Sequence, residues 1–101
     1  MGLHVPHLVD VEATHTLRRL LRDGDIDSAS AKSALEILQQ LDLERHAHNS
    51  LLVRVWALRA NLTVYDAVYV ALAEALKAPL STCDTKLARA PGTRCRIELV
   101  A

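Results

Sequence analysis

Apolar residues recur at helical period over much of this chain, and caps, glycines and prolines mark where each recurrence stops. From His7 to Arg22, Val9, Ala13, Leu17, Leu20 and Leu21 fall on one side. Pro6 suits the first turn of that helix and Gly24 its end. A second helix is expected from Ser28 to about Leu41, capped by Asp27 or Ser28, with Ala29, Leu35 and Leu38 as core positions. Leu41–His46 alternates weakly, as a short strand does. Asn49 or Ser50 then opens a helix over Leu51–Arg59 whose apolar residues spread around most of the circumference, the mark of a helix that is buried or faces a partner. A fourth helix starts at Thr63 and ends around Lys77, where Pro79 blocks its continuation. Leu80–Cys83 reads as a strand, Asp84 caps a short helix through Ala90, Pro91-Gly92 makes a turn, and Arg96–Val100 is a last strand.

Short strands separated by helices predict an α/β fold with a parallel sheet, and parallel sheets need both faces covered. Three short strands make a poor centre for one, so the pattern reads as if a strand is missing. The 101 residues suffice for one domain with one core and show no internal repeat or linker. Half the residues are apolar, which excludes a disordered chain, and only three are aromatic, so the core must be Leu, Val and Ala. Net charge is zero with His neutral, which counts against a purely electrostatic nucleic-acid-binding module. Cys83 and Cys95 are too few and too far apart for a zinc module or a redox pair. No secretory signal and no bilayer-length apolar run is visible, so no membrane association is expected and the cytoplasm, with reduced thiols, is the expected location.

Candidate chemistry lies with three carboxylates: Glu12 in the middle of the first helix, Asp66 at the start of the fourth, and Asp84 at the end of the strand that follows. In α/β folds such ends collect ligands. Two carboxylates about 4 Å apart repel by roughly 4 kcal/mol at an effective dielectric near 20, so a gathered set takes up protons or a cation. Oxygen donors suit Mg²⁺ or Mn²⁺, which keeps waters and accepts phosphate oxygens. Each residue also has a structural reading. Asp66 lies three residues after Thr63, the spacing of a capping box. Asp84 is a good helix N-cap, and Glu12 is in reach of an ion pair with Arg19 or a contact with His15.

Three segments together resemble a PIN domain, and in detail the VapC-type toxins of bacterial toxin–antitoxin pairs. They are Pro6-His-Leu-Val-Asp-Val-Glu12-Ala-Thr-His15-Thr-Leu-Arg-Arg19, Leu58-Arg-Ala-Asn-Leu-Thr63-Val-Tyr65-Asp66-Ala-Val-Tyr69-Val-Ala-Leu-Ala-Glu74, and Leu80-Ser-Thr82-Cys-Asp84-Thr-Lys-Leu-Ala-Arg89. The resemblance covers nearly the whole chain. It implies a PIN-like parallel sheet flanked by helices, with Glu12, Asp66 and Asp84 as catalytic and metal-site residues, Mg²⁺ or Mn²⁺ as cofactor and Thr82 beside Asp84. It further implies hydrolysis of RNA, a cognate antitoxin that covers the site, and a homodimer. The family begins with a strand that ends in an aspartate, and no such segment precedes Pro6. Asp10 does not replace it, since it shares a helix with Glu12 and points to another side. The expectation is thus an N-terminally truncated PIN domain spanning residues 1–101.

His15 and Arg19 share the stripe of Glu12 and are supporting or substrate-binding candidates, with an ordinary solvated helix face as the equal alternative. Arg18, Arg22, Lys86 and Arg89 have the same two readings, RNA phosphate contact or surface charge. His4, His7, His46 and His48 read as solvent-facing, and Trp56 as core with Leu51, Leu52, Val55 and Leu58. Two functions compete: a Mg²⁺-dependent endoribonuclease toxin, or an inert PIN remnant that only binds an antitoxin or another partner.

Overall fold

The computed structural model describes residues 3–100. They fall into two compact units, Met1–His46 and Ala47–Ala101. The first unit is a strand, two helices and a strand: β1 (Leu3–Pro6), α1 (Leu8–Arg22), α2 (Ser28–Gln40) and β2 (Leu43–His46). The strands pair in parallel, with Leu3 opposite Leu43, His4 opposite Glu44, Val5 opposite Arg45 and Pro6 opposite His46. A parallel pair needs a crossover, and α1 with α2 supplies it. The second unit opens with a short 3₁₀ turn at Asn49–Leu51, then α3 (Leu52–Ala57), α4 (Val64–Leu76), β3 (Leu80–Thr82), α5 (Thr85–Ala88) and β4 (Ile97–Leu99). Here β3 and β4 are also parallel, Leu80 opposite Ile97 and Thr82 opposite Leu99, with α5 in the crossover.

The caps expected from sequence form. Asp27 accepts the Ser30 N–H at 2.7 Å and starts α2, Thr63 Oγ1 accepts the Asp66 N–H at 3.1 Å and starts α4, and Asp84 starts α5. Lys77 closes α4 in the left-handed region (φ 52°), two residues ahead of Pro79.

Two expectations are corrected. The sequence pattern left the residues before Pro6 without a strand; Leu3–Pro6 form β1, which ends on the proline, at one end of the ladder. Each unit holds one two-stranded parallel ladder. Trp56 is 64% exposed rather than core, as is Val53 at 85%, because α3 buries only Val55 and lays Arg54 against its partner helix.

The core of the second unit is α4. Ala67, Val68, Val70, Ala71, Leu72 and Ala73 are buried, joined by Val55, Leu58 and Leu87. Small residues let α3 and β3 approach this helix closely. Apolar burial at about 25 cal/mol per Å² is the main stabilising term here. In the first unit Pro6 and Ala31 are buried, while Val9, Ala13, Leu17 and Leu20 of α1 are half-buried, as are Leu35 and Leu38 of α2. Ala29, expected in the core, is exposed.

One polar network penetrates the α4 core. Arg54 Nε donates to Glu74 Oε1 at 2.6 Å and Arg54 Nη2 to Oε2 at 3.0 Å, while the Arg94 N–H donates to the same Oε2 at 2.6 Å. Arg54 Nη2 also reaches the Gly92 carbonyl at 2.9 Å. The Glu74 side chain is only 10% exposed, so it must be paired. The bonds from Arg54 hold its carboxyl below the usual carboxylate range, against the opposing effect of burial and with help from the Arg94 N–H.

Two predictions follow from that network. Arg54→Met leaves Glu74 half-partnered and lowers the stability of the chain by about 2 kcal/mol, between an exposed pair and a fully buried one, read as a shift in the urea midpoint. Because the folded Glu74 pKa is depressed, its contribution is complete above the unfolded value near 4.3 and is lost as pH falls through the lower folded value. Urea midpoints measured down through that range fall for the parent chain, and Glu74→Gln flattens the decline.

Candidate functional site

Asp66 sits in the first turn of α4, where the helix dipole favours a carboxylate. Only half of the expected capping box is made. Thr63 Oγ1 accepts the Asp66 N–H, but among the described residues the return bond from the Thr63 N–H to the Asp66 carboxylate is not formed. The box therefore leaves the Asp66 side chain for another use. It is half-buried, at the start of the most buried helix of the unit.

Asp84 lies two residues past the end of β3. Its Oδ1 accepts the N–H of Lys86 at 2.8 Å and of Leu87 at 3.4 Å, and its own N–H donates to Thr82 Oγ1 at 3.1 Å. Thr82 and Asp84 are thus joined by a hydrogen bond, neighbours as the resemblance implies. The cap occupies one carboxylate oxygen and needs nothing of Oδ2. The Thr82 hydroxyl, accepting from Asp84, keeps its own proton to donate.

Glu12 lies in the other unit, one turn into α1, half-buried on the border of the apolar side. His15 and Arg19 follow it on α1 and are exposed. Arg22, the outermost of that basic run, is partly neutralised by Asp23 at 3.1 Å. Asp10 is engaged elsewhere: both its oxygens receive Arg45 of β2, at 2.8 and 3.1 Å, and Arg45 also donates to the Leu38 carbonyl at 3.2 Å. Asp10 is thus committed to β2.

Glu12 in the first unit and Asp66 and Asp84 in the second offer carboxylate oxygens, the donor type that a hard cation such as Mg²⁺ or Mn²⁺ prefers, and the half-made box and one-oxygen cap leave oxygens of the two aspartates for it. In donor chemistry each of the three fits the metal that the resemblance implies.

Sequence reasoning missed the structural acids and bases. Arg54, Glu74 and Arg94 were not singled out, because a pair separated by 20 residues on two helices leaves no local signal. Cys95 lies close to that network, and burial, followed by the charge of Glu74, pushes its thiol up. Both cysteines are free, and Cys83 is exposed. Among the described residues no helix is long and apolar enough to cross a membrane.

Comparison with known proteins identifies the family. The family model for the PIN domain matches residues 2–92. Ribonuclease VapC1 of Mycobacterium tuberculosis (strain ATCC 25618 / H37Rv) is 47% identical over 98 residues, spanning 96% of this chain and 74% of the relative. Ribonuclease VapC9 of the same strain is 44% identical over 98 residues, spanning 97% of this chain and 77% of the relative. Ribonuclease VapC3 is 41% identical over 89 residues, or 88% of this chain and 65% of the relative. With its α/β build, its parallel strands and this degree of identity to VapC ribonucleases, the chain belongs to the PIN-domain family.

Proposed function

We propose that this chain acts as a single PIN domain over residues 1–101, a metal-dependent endoribonuclease and the toxin of a type II toxin–antitoxin pair. The observation that carries the reading is the family match across residues 2–92 together with identity above 40% to three VapC ribonucleases. Glu12, Asp66 and Asp84 are its metal-holding carboxylates. When bound, Mg²⁺ or Mn²⁺ supplies a Lewis acid for the phosphate oxygens and lowers the pKa of an attacking water. The residues of the chain do the positioning. The two N–H bonds at α5 fix the rotamer of Asp84, and the dipole of α4 favours the charge of Asp66. Thr82 holds Asp84 from behind and has one hydroxyl proton left for a phosphate or carboxylate oxygen. Arg19 and His15, exposed on α1, supply cationic or hydrogen-bonding contacts to the RNA backbone.

The same family reading brings a cognate antitoxin and a homodimer. Exposed Leu52, Val53 and Trp56 on α3 support a partner face of this kind, since a free apolar cluster at the surface favours association. Action on cellular RNA places the protein in the cytoplasm, where Cys83 and Cys95 stay reduced.

The decisive test uses Asp84→Asn. Asparagine caps a helix as well as aspartate, so stability should hold, while loss of the carboxylate charge should lower Mg²⁺-dependent RNA cleavage by at least about a hundredfold. Asp84→Ala should lose the activity and, in addition, about 1 kcal/mol of stability. Asp66→Asn should lower cleavage to the same degree as Asp84→Asn. Cleavage at the parent rate in both Asn variants would exclude these carboxylates from the chemistry.

A further inference from the structure

We infer that the first unit carries a second metal site, for a divalent transition ion such as Zn²⁺, built from His4, Glu44 and His46. This inference does not depend on the nuclease reading. His4 lies directly opposite Glu44 in the parallel ladder, and His46 lies two residues further along β2, so all three side chains leave the same face of the strand pair. One donor atom from each converges with the others within 4.8 Å. His4 Nδ1 stands 2.9 Å from His46 Nε2 and 3.3 Å from Glu44 Oε2. Zinc bonds of 2.0–2.1 Å in a tetrahedron put neighbouring ligand atoms about 3.3 Å apart. One edge of the triangle therefore already has the chelating length, and the imidazole edge needs an opening of a few tenths of an ångström.

The chemistry of the donors selects the ion. Two imidazoles and one carboxylate suit Zn²⁺ and its neighbours, whereas Mg²⁺ and Ca²⁺ prefer oxygen alone. Three protein ligands leave a fourth position for water, the pattern of open zinc sites. The two ring nitrogens stand within hydrogen-bond distance, and the carboxylate faces the same point. The ladder supplies the preorganisation: Arg45, between Glu44 and His46, points to the opposite face and is held by Asp10 and the Leu38 carbonyl, which fixes β2 against both helices. The His7 N–H donates to the His46 carbonyl at 2.8 Å and extends the ladder past the site. His4 is 43% and Glu44 63% exposed, so an ion reaches the donors from solvent. Bound there, it joins β1 to β2 and stabilises the first unit by mass action.

The test is calorimetric titration of the full chain with Zn²⁺ in a large excess of Mg²⁺, which keeps the oxygen-only carboxylates occupied. One equivalent of Zn²⁺ should bind, and the thermal midpoint should rise with it. His4→Gln and His46→Gln should each weaken binding by at least about tenfold, the smallest cost of disturbing even an outer partner of a metal ligand, while His15→Gln should bind as the parent does. A readout free of substitutions is the imidazole NMR spectrum of the parent chain. On adding Zn²⁺, the His4 and His46 resonances should move together, and those of His7, His15 and His48 should stay. Parent-like Zn²⁺ affinity in both Gln variants overturns the site, as does movement of the other three histidines in place of His4 and His46.

Discussion

A carboxylate gripped on both oxygens by an arginine is the constraint on which each unit depends. In the second unit it is Glu74 with Arg54. Helix α4 is otherwise almost wholly apolar; its only charged residues are Asp66 in the first turn and Glu74 near the end. A helix of this kind slides and rotates readily in an apolar setting, because small side chains give few preferred contacts. The Glu74 network removes that freedom. It fixes α4 against α3, ties the Gly92 carbonyl and the Arg94 N–H to the same point, and so sets where the chain enters β4. The β4 register then sets β3, which delivers Thr82 and Asp84. The geometry of the candidate ligand Asp84 is thus determined in part by a buried acid already engaged by Arg54 and the Arg94 N–H.

The first unit repeats the device with Asp10 and Arg45, where a helix is tied to a strand rather than to another helix. Alternation along β2 then does two things at once. Arg45 faces α1 and α2, and its neighbours Glu44 and His46 face away. A strand of four residues has no apolar face to anchor it, so the ion pair and the Leu38 carbonyl hold it in place. The polar residues on the other face are left to do something besides folding.

What the sequence could show followed from local physics. The caps at Asp27, Thr63 and Asp84, the stop at Pro79 and the apolar periods of α1 and α4 are all signals within a few residues, and they set the helix bounds within a residue or two. The features that were missed are non-local. Strand β1 has four residues and ends in proline, too short to declare a period, and its pairing reaches across 40 positions. His4 and His46 looked like scattered surface histidines because nothing in the linear chain places them 2.9 Å apart. Trp56 looked like core because it is aromatic and sits among leucines; a six-residue helix with one buried side chain cannot bury them all. The three candidate carboxylates and Thr82 were legible as types in an order, carried by family resemblance, while the Arg54–Glu74 pair behind them required the fold.

Under the proposed function the two readings of Asp84, cap and ligand, need not compete. A capping carboxylate is held by backbone N–H groups whose positions are fixed by the helix, so its rotamer is settled before any cation arrives. A free surface aspartate would have to give up that rotamer freedom on binding, at about 0.5–1.5 kcal/mol for an ordered side chain. The cap meets that cost during folding and leaves Oδ2 directed by the same geometry. Asp66 gains less, because its side chain is not tied into the box and only the position of its backbone is fixed. The two aspartates therefore differ in stiffness: under the proposed metal role Asp84 would be the rigid donor and Asp66 the adaptable one.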